Sequence, residues 1–149
     1  MPQEQKRIAL LLTDLCARLP FGVNVLDDMG RTYKLQLGNA YLIDLFYGNG
    51  DYVEAPIRPY LRPMNTMTEE EVQEIRDRLN NLSIGRTITE KNFEKCCDFL
   101  WFTKMSSFEC VSEKMMEVVI GYLDENMFDH RGLIPKGLAL EATEGIYKI

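Results

Sequence analysis

Apolar side chains within residues 4–19 fall at Ile8, Leu11, Leu12, Leu15 and Leu19, the three-and-four spacing that lines one side of an α-helix. Lys6, Arg7, Asp14 and Arg18 read as its other faces, and Pro20 with Gly22 ends it. The spacing predicts a helix packed on the sheet that follows. From Val23 to Leu61 the period shortens to two. Val23-Asn24-Val25 and Thr32-Tyr33-Lys34-Leu35-Gln36-Leu37 alternate, punctuated by Asp27-Asp28-Met29-Gly30 and Gly38-Asn39. Ala40 to Tyr47 is the most apolar run and suits a central strand. Gly48-Asn49-Gly50-Asp51 suits a hairpin turn, because Asn and Gly tolerate positive φ. Tyr52 to Leu61 supplies a last strand, expected at an edge because Pro56 and Pro59 lack a ladder donor.

A helical texture then takes over. Thr68 and Glu71 have capping-box spacing, with Met67 and Val72 at the staple positions. The helix they start runs to Asn80, burying Val72, Ile75 and Leu79 and exposing Glu69, Glu70, Glu71, Glu74 and Asp77. Glu74 stands four before Arg78, the spacing of a helical ion pair. A second helix is expected from Thr89 to about Met105, apolar on nearly every side at Phe99 to Phe102. A third starts at Ser112 and carries Met115, Met116, Val119, Ile120, Leu123 and Met127. The tail from His130 to Ile149, with Gly132, Pro135, Gly137 and Gly145, reads as turns with one short strand through Leu138-Ala139-Leu140. The expected fold is α+β: an N-terminal helix, a small antiparallel meander (SH3-like or a curled sheet), then about three helices. Residues 1–149 read as a single domain, 1–67 its helix-plus-meander portion and 68–149 its mainly helical portion.

With 46% apolar and 27% charged residues, the 149-residue chain has the composition of an ordinary globular protein. Its net charge of −6 is uneven: residues 1–67 hold seven basic and seven acidic groups, so the excess lies wholly in 68–149. Nucleic-acid binding, which draws on a basic face, is disfavoured. The run Ile8 to Leu12 is too short for a secretory core or a membrane span, so a cytoplasmic protein without membrane association is expected. Cys16, Cys96, Cys97 and Cys110 lack zinc or redox spacing and read as reduced core thiols.

Catalytic patterns are hard to find. His130 is the single histidine, and a helix-end or surface role suits it better than pairing with adjacent Asp129, since sequence neighbours rarely face each other. Neither Asp27-Asp28 nor Asp124-Glu125 has the spacing of a calcium loop, and Gly48-Asn49-Gly50 lacks the lysine of a P-loop. No metal, cofactor or catalytic residue is expected. A recognition surface survives. In Arg58-Pro59-Tyr60-Leu61-Arg62-Pro63 the prolines impose extended geometry, so Arg58, Tyr60 and Arg62 alternate onto one side, two guanidinium forks beside an aromatic face. The competing reading pairs these arginines with Glu69, Glu70 or Glu74. His130 and Arg131 join them as candidate ligand-binding residues.

Three segments together resemble short proteins of unassigned role from gut anaerobic bacteria and their phages or mobile elements. They are Leu15-Cys16-Ala17-Arg18-Leu19-Pro20-Phe21-Gly22-Val23, then Pro59-Tyr60-Leu61-Arg62-Pro63-Met64 with Met67-Thr68-Glu69-Glu70-Glu71, then Phe128-Asp129-His130-Arg131-Gly132-Leu133-Ile134-Pro135-Lys136-Gly137-Leu138-Ala139. The resemblance implies a phage or mobile-element accessory protein made in a bacterial cytoplasm, and implies no activity. The expectation is a non-enzymatic binding or interaction protein with a host or phage protein as partner. Alternatives are a binder of a small anionic ligand or nucleotide, able to sequester a host signal, and a hydrolase working through His130. The Met- and Phe-bearing helices suggest a homodimer, although cores use methionine too.

Overall fold

The computed structural model describes residues 3–41, 43, 57–81, 94–96, 99–101, 113–143 and 146–147. The α+β class holds, and the chain divides into two compact units, Met1–Arg62 with Met127–Ile149, and Pro63–Asn126.

The first unit begins with α1 (Gln3–Arg18), whose Ile8, Leu11 and Leu15, followed by Leu19, enter the core as their spacing predicts. Strands β1 (Val23–Asp27), β2 (Thr32–Leu35), β3 (Ile57–Leu61) and β6 (Leu140–Glu141) form one sheet in the order β2-β1-β3-β6. The first three are antiparallel, with Val23 opposite Leu35 and Val25 opposite Pro59, and β6 joins β3 in parallel. Val23, Val25, Leu35, Ile57 and Leu61 line the face under α1, together with Met127, Leu133 and Leu138 from the returning tail. Each fully buried Leu, Ile or Val is worth roughly 1.5–3 kcal/mol relative to exposure.

Local chemistry sets the turns. The Asp27 carboxylate accepts the amides of Met29 and Arg31 at 2.9 and 2.8 Å and Arg31 Nε at 2.9 Å, closing the β1–β2 hairpin. Burial pushes its pKa up, but these bonds outweigh burial and hold the carboxyl below the usual aspartate value. Gly22 carries α1 into β1 at φ 79°, a left-handed conformation that glycine adopts without the strain another residue would carry.

Two strand expectations need correction. Among the described residues of Ala40 to Tyr47, Tyr41 and Ile43 are helical, following a 3-10 turn at Leu37–Asn39, and β1 and β3 are the inner strands. Asn39 causes the change: its side chain accepts the Gln36 amide at 2.7 Å and donates to the Lys34 carbonyl at 2.9 Å, bending the chain off its extended path. The glycine-rich turn at 48–51 and Pro56 lie outside the described residues. β3 is internal, not an edge. The backbone groups of Leu61 point toward β6, its carbonyl accepting the Ala142 amide at 2.8 Å, and the backbone of Pro59 points the same way, one residue before β6 pairing begins at Tyr60. Its missing donor therefore costs no ladder bond. Cys16 is exposed rather than a core thiol, because it lies off the α1 face that carries Leu11 and Leu15.

Beyond Val25–Pro59 the β1–β3 ladder is completed by a side chain. The Tyr147 hydroxyl accepts the Asn24 amide at 3.0 Å and donates to the Tyr60 carbonyl at 2.7 Å. The Asn24 side chain also donates to the Ile146 carbonyl at 3.3 Å. Burial pushes the phenol up to about 12, against the opposing bond from Asn24.

In the second unit, α2 (Glu69–Asn80) begins at the predicted box: the Glu71 amide donates to Thr68 Oγ1 at 3.2 Å and the Thr68 amide to Glu71 Oε1 at 3.0 Å. Glu71 is thereby buried, not exposed as expected. α2 packs with α3 (Glu113–Glu125), and Met67, Val72, Ile75, Leu79, Val119, Tyr122 and Leu123 are buried. Arg78 sits 4.9 Å from the Tyr122 ring centroid, bonded to Glu74 at 3.0 Å and Glu125 at 3.1 Å. The expected helix through 89–105 is contradicted where it is described. Glu94–Cys96 (β4) and Phe99–Trp101 (β5) pair antiparallel, Cys96 opposite Phe99. A short run apolar on every side carries no period, and its aromatic residues suit a strand. Among the described residues no helix is long and apolar enough to cross a membrane.

Tyr147→Phe is expected to cost about 1–3 kcal/mol at neutral pH, because it orphans a partly buried amide and carbonyl. The raised pKa sets the sign with pH. The hydroxyl's contribution is whole below its unfolded value of about 10 and is lost as pH climbs through its folded value. Urea titrations from pH 7 to 12 should show the two proteins converging at the alkaline end.

Candidate functional site

The Arg-Pro segment is extended, as its prolines require. Ile57, Pro59 and Leu61 face the core while Arg58 and Tyr60 share the half-buried opposite face. Arg62 leaves that face. It is 6% exposed, with its guanidinium carbon 4.0 Å from the centroid of the Phe128 ring, a cation–π contact in a desolvated setting. Its backbone is pinned as well: the Arg62 amide donates to the Met127 carbonyl at 2.7 Å, and the Asp129 amide donates to the Arg62 carbonyl at 2.8 Å. The trio therefore does not form one outward surface. Arg58 and Tyr60 stay together, and the second fork is turned inward by an aromatic ring 66 residues away.

His130 and Arg131 belong to a different arrangement. α3 ends at Glu125, so His130 lies five residues beyond the helix, past the reach of the helix dipole on which its expected capping role rests. Both carboxylate oxygens of neighbouring Asp129 accept backbone amides, Leu133 at 2.7 Å and Ile134 at 2.9 Å. That carboxylate shapes a turn. Arg131 reaches back to α1, its Nη1 donating to Asp14 Oδ1 at 2.7 Å.

Asp14 and Arg18 are where the expectation fails most informatively. Both side chains are fully buried. Arg18 Nε donates to Asp14 Oδ2 and Arg18 Nη2 to Asp14 Oδ1, each at 2.9 Å, and Nη2 also donates to the Phe128 carbonyl at 2.6 Å. One carboxylate thus receives two arginines, and one arginine holds both a helix turn and the returning tail. The bidentate fork explains why an arginine serves here. The spacing of Asp14 and Arg18 was itself a signal: they are four apart and lie beside Leu11 and Leu15 on the apolar side of α1.

This cluster has its charge and donors committed to architecture. Asp14 Oδ1 and Oδ2 are both occupied by guanidinium N–H groups, leaving the carboxylate badly placed to take a proton from a substrate. Among the described residues no group of three His, Cys, Asp or Glu is arranged to hold a metal ion. The Tyr33 hydroxyl is the buried side-chain oxygen left without a hydrogen-bond partner there. Burial and then the Asp27 charge push its pKa up. Large apolar side chains stand exposed instead: Phe21 at 42%, Leu37 at 66% and Tyr41 at 67%. Phe21 and Leu37 flank the same end of the β1–β2 hairpin, each two residues beyond the Val23–Leu35 pair, and Tyr41 follows Leu37 by four. Ile43 is buried and Ala40 packs on the core, so the intervening turn directs Leu37 and Tyr41 outward.

Asp14→Ala should destabilise by about 3–5 kcal/mol, since it strands a buried guanidinium. Asp14→Leu combined with Arg18→Met should cost less than that single change, because both charges leave together. Urea midpoints of the two variants give the comparison, and a single change costing under about 1 kcal/mol would place Asp14 among ordinary surface pairs.

Comparison with protein-family models, with curated proteins and with solved structures finds no match to this chain.

Proposed function

We propose that the chain is a non-enzymatic binding protein of phage or mobile-element origin that docks a host or phage protein in a bacterial cytoplasm. The origin rests on the family resemblance of the three sequence segments. The binding role rests on one observation: Phe21, Leu37 and Tyr41 stand exposed around one end of the β1–β2 hairpin. Exposed aromatic and aliphatic side chains near one end of a hairpin can serve as anchors in protein interfaces. The charged groups that would otherwise suggest chemistry, Asp14, Arg18, Asp129 and Arg131, are engaged in structural bonds.

A second reading, a small anionic ligand or nucleotide, is favoured by Arg58 and Tyr60 sharing the half-buried face of β3. One fork beside one aromatic ring can clamp a phosphate and stack a base.

Phe21→Ser, Leu37→Ser and Tyr41→Ser combined test the first reading. Tagged wild-type protein should retain a host protein that the triple variant loses, with circular dichroism unchanged. Equal capture by both, or no capture by either, would count against it. Native mass spectrometry of the same preparations separates the second reading, which requires a retained anionic mass that Arg58→Ala removes.

A further inference from the structure

The β1–β3 ladder stops one bond short of where its register would carry it. Val25 lies opposite Pro59 and Leu26 opposite Arg58, and continuing that register sets Asn24 against Tyr60. Backbone direction agrees. The Asp27 amide turns to the Arg31 carbonyl and the Leu61 carbonyl turns to the Ala142 amide, so by alternation Asn24 and Tyr60 turn their backbone groups toward each other. The Asn24 amide and the Tyr60 carbonyl are therefore the natural partners of the next ladder bond. In place of that bond stands the Tyr147 hydroxyl, accepting from the amide at 3.0 Å and donating to the carbonyl at 2.7 Å. A hydroxyl suits the position because one oxygen both accepts and donates.

Two further contacts seat the phenol: its half-buried ring packs on the core, and the Asn24 carboxamide donates to the neighbouring Ile146 carbonyl at 3.3 Å. Withdrawing the phenol leaves an amide and a carbonyl facing each other along a register that already exists, so they can join and neither is orphaned. The tie made by Arg18 has no such remedy. Removing Arg18 deprives the buried Asp14 carboxylate of two bonds that no nearby backbone group replaces by continuing a ladder. The slot under Tyr147 seals itself; the slot under Arg18 does not.

We propose that Tyr147 is a removable spacer in the sheet. Seated, it holds the Asn24 amide and the Tyr60 carbonyl apart; unseated, it lets them close into a direct ladder bond. Asn24, Leu26, Arg58 and Tyr60 share one face of the sheet, so the seating of Tyr147 sets the spacing of the face that carries Arg58 and Tyr60. A ligand on that face with a preference for either spacing is thereby coupled to the segment carrying Ile146 and Tyr147. The spacer itself follows from backbone geometry and does not depend on a ligand binding there.

Scalar coupling across the hydrogen bond, between the Asn24 amide nitrogen and the Tyr60 carbonyl carbon, reports the direct bond alone and tests the spacer in the full-length chain. Wild-type protein should show none, and Tyr147→Gly should show it. Tyr147→Phe should also show none, because its ring fills the same space without bonding either group. Coupling in the wild type or in the Phe variant would overturn the proposal, as would its absence from the Gly variant. Wild-type protein supplies a second reading that needs no variant. In sub-denaturing urea, exchange of the Tyr147 hydroxyl proton should depend on urea with a slope no more than roughly a third of that for the Leu11 and Leu15 amides, because unseating exposes one side chain while global unfolding exposes the core. A slope equal to that of the leucine amides would mean that Tyr147 leaves only when the whole unit unfolds, and would overturn the proposal equally.

Discussion

A guanidinium group taken wholly out of water must find partners for its N–H groups, and in this protein that need governs the first unit. Arg18 meets it with both oxygens of Asp14 and with the Phe128 carbonyl. The carbonyl matters most, because it belongs to the chain's return after 64 intervening residues. By fixing that one backbone atom beside α1, Arg18 fixes the bridge to Arg62, the turn capped by Asp129, and the path that brings Leu133, Leu138 and β6 onto the sheet. Apolar burial supplies the larger share of the stabilising free energy, as in any domain. The buried ion pair contributes position as well, because Arg18 bonds the Phe128 carbonyl and Asp14 receives Arg131, two ties from α1 to the returning tail.

The same constraint narrows the functional reading. Two arginines that looked available for recognition are committed near Phe128 together with Arg18: Arg62 lies over its ring, and Arg131 bonds the carboxylate of Asp14, which Arg18 holds while bonding the Phe128 carbonyl. Among the described residues of this unit, two features stay toward solvent that bear on recognition, the Arg58–Tyr60 face of β3 and the exposed Phe21, Leu37 and Tyr41 side chains. The second carries the binding reading, since large aromatic and aliphatic side chains left in water are what a protein partner would cover.

Much of the fold could be read from residue spacing alone. The three-and-four pattern of Leu11, Leu15 and Leu19 places α1, and Thr68 with Glu71 places the first turn of α2 to the residue. Both signals are local, and the packing around them agrees with them. Phe99 to Trp101 resisted because a short, uniformly apolar run has no period to distinguish helix from strand. The site was half legible. Alternation placed Arg58 and Tyr60 on one face, but Arg62 answers to a ring elsewhere in the chain. Arg18 answers to a backbone carbonyl 110 residues away, a group that carries no side-chain signature. Charged residues are so seldom fully buried that Asp14 and Arg18 read as solvated, although their spacing already put them beside the core leucines.

Solvent exchange of the arginine side-chain protons, measured by nitrogen-15 NMR, tests the account most directly. If Arg18 is the buried tie between α1 and Phe128, its Nε–H and Nη–H signals should be separately resolved at neutral pH. They should exchange roughly a hundredfold or more slowly than those of Arg31, whose side chain is 66% exposed. Arg18 protons exchanging as fast as those of Arg31 would contradict the account.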